Sequence, residues 1–184
     1  GDYNVITVLE VDENDNKTIV FIDRSKNVEF RENIQKVKLI GKVFQPEAIL
    51  FETNTFAKSF TQEIRNVTDL NVHDFNTTRK KKEEIILSLQ MNFENGKIIL
   101  PYANEESRRV TSTLIEELSM FAITDKGKFE GIGAHDDMVM SLALANAATH
   151  TMSETFILLD DMGLFDPPKV NKYKRSQGVM GINF

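Results

Sequence analysis

The sequence predicts an α/β domain built on a mixed sheet, and three observations carry that prediction. Two apolar, β-branched segments open the chain with a short polar turn between them, the signature of an antiparallel hairpin. Further along, residues at helical spacing alternate with short apolar runs. One of those runs, Ala48-Ile49-Leu50-Phe51, is continuous, as in a strand covered on both faces.

Residues 3–11 read as the first strand, 12–17 as the turn and 18–23 as the second strand. Residues 28–43 carry Phe30, Ile34, Val37, Ile40 and Val43 on one helical stripe, and Pro46 ends that helix because the residue before a proline is driven out of the α region. Residues 48–51 form the buried strand, closed by Glu52. A helix over 54–67 follows, with Phe56, Phe60, Ile64 and Val67 on its stripe, then a weaker strand over 70–75. Thr78 is the expected N-cap of a helix reaching about residue 93, where Asn95-Gly96 stops it. Residues 97–100 make a short strand before Pro101, and 104–118 a helix with Val110, Leu114 and Leu118 inward. A small hairpin over 120–131 turns at Asp125-Lys126-Gly127. The last long helix spans about 134–149 and is apolar on nearly every face, which predicts burial. Beyond His150 the pattern fades. Residues 1–150 are therefore expected to form the domain, and 151–184, with Asp166-Pro167-Pro168 and a basic end, an extended arm or linker.

Composition narrows the function. There is no cysteine, which excludes disulfides, thiolate metal sites and thiol nucleophiles. No run of about 18 apolar residues and no signal-peptide pattern is present, so a soluble, intracellular chain is expected. The 22 Lys and Arg against 28 Asp and Glu give a net charge of -6, which argues against coating nucleic acid by bulk charge. It is compatible with an enzyme that gathers acids around metal ions and grips phosphates with a local basic patch. No Gly-rich phosphate loop and no GxSxG elbow occurs, and His73, His135 and His150 do not stand at metal-ligand spacing.

What remains is carboxylates. Glu52 ends a buried strand, where open α/β sheets place their ligand sites, although strand ends also carry charge simply for solvation. Asp136 and Asp137 open the buried helix. As isolated acids they would be read as a helix-start signal, favoured there by the helix dipole. Their setting after Gly131-Ile132-Gly133-Ala134-His135, at the head of a helix with almost no polar face, also suits a hard cation. With Asp2 before the first strand, these acids could converge on one edge of a sheet. Two-metal phosphoryl chemistry requires such convergence, with carboxylate oxygens around a pair of Mg²⁺ or Mn²⁺ ions.

The segment His135-Asp136-Asp137-Met138-Val139-Met140-Ser141-Leu142-Ala143 resembles the closing motif of the nuclease domain of tailed-bacteriophage large terminase subunits. Other segments resemble that family in the same order: Gly1-Asp2-Tyr3 before a strand, Ile49-Leu50-Phe51-Glu52-Thr53-Asn54, residues 77–83, and Asn95-Gly96-Lys97-Ile98-Ile99-Leu100-Pro101. Coverage runs over about residues 1–148. The resemblance implies an RNase H-like (RuvC-like) sheet with helices on both faces. It implies a metal-dependent endonuclease that cuts concatemeric double-stranded viral DNA during genome packaging. By it, Glu52, Asp136 and Asp137 are the catalytic metal ligands, held with Mg²⁺ or Mn²⁺, and Asp2 is a secondary acid near them. Lys82 matches the family's recurring lysine. The run Arg79-Lys80-Lys81-Lys82, at a helix start where the dipole disfavours cations, points to phosphate binding through Arg79, Lys80 and Lys82 or to a merely solvated face.

The implied partners are viral DNA, a packaging ATPase domain of the same polypeptide, the portal and the small terminase subunit, in the cytoplasm of an infected bacterium. In the family a preceding strand supplies a leading Asp and the centre of the sheet. This sequence begins after it, so a fragment of a longer protein is expected. Alternatives are another RNase H-like nuclease, of resolvase or transposase type, and a non-catalytic DNA-binding or portal-docking module.

Overall fold

The opening hairpin forms where the sequence places it. In the computed structural model, which describes residues 3–52, 57–123, 129–131, 135–161 and 177–183, β1 (Asn4–Val11) pairs antiparallel with β2 (Lys17–Ser25). Asp12 organises the turn: its Oδ1 accepts the backbone N–H groups of Asn14 at 2.9 Å and Asn16 at 2.8 Å. The register slips between Val8 and Leu9, which face Phe21 and Ile19, so Val20 is bulged out and Ile19 comes to share a face with Ile22, opposite Phe21.

The helix α1 (Phe30–Phe44) buries Ile34, Val37 and Ile40 and ends at Gln45, whose φ of 47° places it in the left-handed region one residue before Pro46. After it come β3 (Ala48–Glu52), α2 (Ala57–Val67), β4 (Val72–Phe75) and α3 (Arg79–Glu94). Thr78 caps α3 by accepting the Lys81 N–H, and Gly96, at φ 66°, turns the chain beyond it. Then β5 (Ile98–Ile99) leads to α4 (Glu105–Met120), which starts with a reciprocal capping box between Asn104 and Ser107. A separate hairpin of β6 (Phe121–Ile123) and β7 (Phe129–Gly131) follows; its expected turn at 125–127 lies outside the described residues.

Two departures follow. The last helix, α5 (Asp137–Asp161), runs beyond its expected end near residue 149. Residues 150–161 hold two threonines and a serine, which weaken the helical signature without preventing the helix. More consequentially, part of the expected arm is a strand, β8 (Gln177–Asn183), and it lies inside the sheet. The sheet order is β4-β3-β8-β1-β2-β5. β8 runs parallel to β3 and antiparallel to β1, filling the central place that the resemblance assigns to a strand before Gly1. Its sequence hid it, because Gly178 and Gly181 remove the strand propensity that β-branched residues would announce.

Helices cover both faces, as the sequence predicts. Ile6, Val8, Ile49, Phe51, Met180 and Ile182 pack with α1 and α2. Val5, Leu9, Leu50 and Val179 pack on the other side with α3, α4 and the mostly apolar first half of α5. Between them, α5 lies so close to the sheet that the buried Ser141 hydroxyl reaches Thr7 Oγ1 at 3.0 Å and the Gly181 carbonyl at 2.9 Å.

Candidate functional site

Strand register decides which residues share an edge. Asn183 of β8 faces Val5 of β1, and Ile182 faces Phe51 of β3. The start of β1 and the end of β3 therefore lie on the same edge of the sheet, with one strand between them, or about 9–10 Å apart. Glu52 is the last residue of β3. Since Leu50 packs on the α5 side, the two-residue alternation turns Glu52 to that side as well.

The head of α5 arrives at the same edge. Tyr3, just before β1, donates its backbone N–H to Asp137 Oδ2 at 3.0 Å. Asp137 is only 7% exposed. A buried carboxylate of this kind requires compensation, supplied here by the Tyr3 N–H and by the helix N-terminus; His135 Nδ1 lies 3.6 Å from Oδ2. The His135 ring meets the Tyr3 ring edge-on, with centroids 5.0 Å apart. Asp136, more open, accepts from Lys82 Nζ at 2.9 Å. Thus the adjacent Asp136 and Asp137 meet Lys82, 54 residues earlier in the chain, and Glu52 stands on the same edge and face.

The other predicted residues are distributed differently. Arg79 pairs with Glu83 at 3.0 Å along α3, and the exposed Lys80 lies 3.9 Å from Glu84. Both stand in the first turn of α3, next to the Lys82 that reaches the acids. Asp2 lies outside the described residues. Among the described residues, no three acidic or histidine side chains form a ligand cluster. The donor set nonetheless fits a hard cation, since Mg²⁺ takes oxygen ligands, needs only one or two carboxylates and completes its shell with water. Asp137, Asp136 and Glu52 offer such oxygens, while Lys82 already balances one charge.

Behind the acid pair is a group that motif reading missed. Glu117 of α4 is buried, and its Oε2 accepts the backbone N–H of Met138, in the first turn of α5, at 2.8 Å. Its Oε1 is 3.3 Å from Arg24 Nη2. The Arg24 guanidinium in turn lies 3.4 Å over the centre of the Tyr3 ring, with Lys26 Nζ at 4.2 Å from the same centre. Burial pushes the Glu117 carboxyl above its ordinary value, while the Met138 N–H and Arg24 pull it back. A signal existed in the sequence: Glu117 falls on the inward stripe of its helix, three residues after Leu114, where an acid needs a reason.

No family model and no curated protein matches the sequence. The structure is similar to two crystal structures of the large terminase nuclease from thermophilic phage G20c, one with bound magnesium and one with bound cobalt. The TM-scores are 0.64 and 0.65 at 24% identity, over 79% of this chain and 74% of that one. The fold is the RNase H-like fold of large terminase nucleases.

Proposed function

We propose that this chain is the nuclease domain of a phage large terminase, a metal-dependent endonuclease that cuts concatemeric double-stranded DNA during genome packaging. The observation that carries the reading is the acid pair Asp136-Asp137 at the packed head of α5, on the same sheet edge as Glu52, in a terminase-nuclease fold. The G20c nuclease structures contain magnesium and cobalt. Here Glu52, Asp136 and Asp137 would hold Mg²⁺ or Mn²⁺, with Asp2 as a further acid. Divalent ions at such a site supply an activated water and stabilise the leaving oxygen of the phosphodiester.

The protein's own contribution is placement and charge. Asp137 is held by the Tyr3 N–H and by its seat at a helix N-terminus, so its oxygen needs little reorganisation to meet a cation. Lys82 offsets Asp136 and brings positive charge to the edge where a phosphate would lie. Arg79 and Lys80, in the same turn of α3, extend that charge along the backbone of the duplex. In this reading the packaging ATPase domain, the portal and the small terminase subunit are the partners, in the host cytoplasm. No described helix is long and apolar enough to cross a membrane.

Plasmid cleavage with Mn²⁺, Mg²⁺ or EDTA tests the proposal. Nicking and linearisation are expected with either metal and none with EDTA. Glu52→Ala and Asp137→Ala should each lower the rate by at least about 100-fold, the loss of several kcal/mol of transition-state stabilisation, with unchanged circular dichroism. Cleavage that survives both substitutions overturns the assignment. A strong preference for branched over linear duplex would favour a resolvase, and chelator-insensitive DNA binding without nicking a docking module.

A further inference from the structure

We infer that Glu117 is a positioning residue for the acid pair, acting through the head of α5 and, by way of Arg24 and Tyr3, through the bond that holds Asp137. This rests on the reading of Asp136 and Asp137 as metal ligands.

The contacts form a closed circuit. Glu117 Oε2 accepts the Met138 N–H, one residue after Asp137. Glu117 Oε1 pairs with Arg24 of β2. Arg24 stacks on the Tyr3 ring, and the Tyr3 backbone N–H returns to Asp137 Oδ2. Asp137 is thus held from two sides, through its own helix and through the strand start opposite, and among the described residues Glu117 is the carboxylate joined to both. Helix α5 cannot supply this itself, because the first backbone N–H groups of a helix have no partner within it. An acid from another helix satisfies one of them and fixes the helix head in rotation as well as in height.

A burial argument separates this role from simple capping. An exposed Ser or Asp at the N-cap would satisfy the helix end at less cost than a carboxylate carried in from α4. Glu117 is instead nearly covered, with Arg24 as its counter-charge. That arrangement gives little freedom to the residues it joins. Groups that orient metal ligands without touching the metal characteristically change affinity by about 10–100-fold when removed.

The test is direct Mn²⁺ binding to the chain, read by the loss of the free-ion electron paramagnetic resonance signal, with circular dichroism and thermal melts alongside. Glu117→Ala is expected to weaken Mn²⁺ binding about tenfold or more. Glu117→Gln, which keeps an oxygen for the Met138 N–H, is expected to bind more tightly than Glu117→Ala but less tightly than the native chain. Arg24→Met, which opens the circuit at its less buried side, should also weaken binding. Native affinity in Glu117→Ala, or a Gln variant no better than the Ala variant, overturns the inference. Should Glu117→Ala fail to fold, Glu117→Gln and Arg24→Met decide the matter, and native affinity in both overturns it. Absence of Mn²⁺ binding by the native chain would overturn the metal reading and this inference together; native binding with unaffected variants overturns this inference alone.

Discussion

Asp12 accepts hydrogen bonds from the Asn16 side-chain amide and from the backbone N–H groups of Asn16 and Asn14. These bonds, led by the one from the Asn16 side chain, hold its carboxyl below the ordinary value. The folded chain therefore releases this proton more readily than the unfolded chain. The stability Asp12 lends is fully present above the unfolded carboxylate range and is lost as pH falls through the lowered folded value. Asp12→Ala should accordingly melt below the native chain at pH 7, and the gap should narrow in melts at about pH 3, below the ordinary Asp value of about 3.9. A gap independent of pH would assign the effect to the loop backbone instead. In the proposed nuclease Lys80 has a different duty. Replacing it with Ala should weaken DNA binding evenly across sequences and lower the slope of log affinity against log salt by about one; nitrocellulose-filter titrations between low and physiological salt would measure it. At this scale the sequence singled out Glu52, Asp136 and Asp137, because a charge beside an apolar run stands out, whereas Lys82 drew attention only through the resemblance. Arg24 stayed hidden, since its importance comes from a ring and a carboxylate that are distant in the chain.

The contact between α5 and β8 shows why one element was legible and its partner was not. The apolar run at 138–145 announces a buried helix, and Ala143 and Ala145 announce that something comes close to it. What comes close is Gly181, where a Cβ would collide with the backbone nitrogen of Ala145 and the carbonyl of Ser141. A glycine there is the condition for the helix to sit on the sheet, and the same glycine erases the β-branched signature by which a strand is recognised. Gly181→Ala should therefore destabilise the domain by more than about 3 kcal/mol, the upper end for overpacking, because backbone rather than a flexible side chain is in the way. Gly178→Ala is the control, since a Cβ there meets its nearest atom, the Phe44 carbonyl oxygen, at 3.5 Å. It should change stability by less than about 1 kcal/mol. Urea unfolding of the two variants gives the comparison, and equal losses would mean that the close approach contributes nothing.

Across the whole molecule, a mixed sheet with alternating helices followed from periodicity, whereas the strand order did not. Local pattern reports which residues are buried, and nothing in seven residues rich in glycine reports that they belong between β3 and β1. Removing residues 177–184 should therefore do more than trim an end. It parts β4-β3 from β1-β2-β5 and should replace a single cooperative melt with a broad one, visible as lost amide-exchange protection in β1 and β3. A sharp, native melt from the truncated chain would contradict this. The pairing of Val5 with Asn183 also has a temporal side. A ribosome delivers Val5 long before Asn183, with α1 to α5 made in between. At about 5–20 residues per second the first hairpin waits on the order of ten seconds for its neighbour. During that interval two strand edges stand open toward each other across an empty slot, exposed to any extended segment that arrives sooner. Fidelity in this protein is thus a matter of queueing: the middle of the sheet must be kept vacant until its own strand leaves the tunnel.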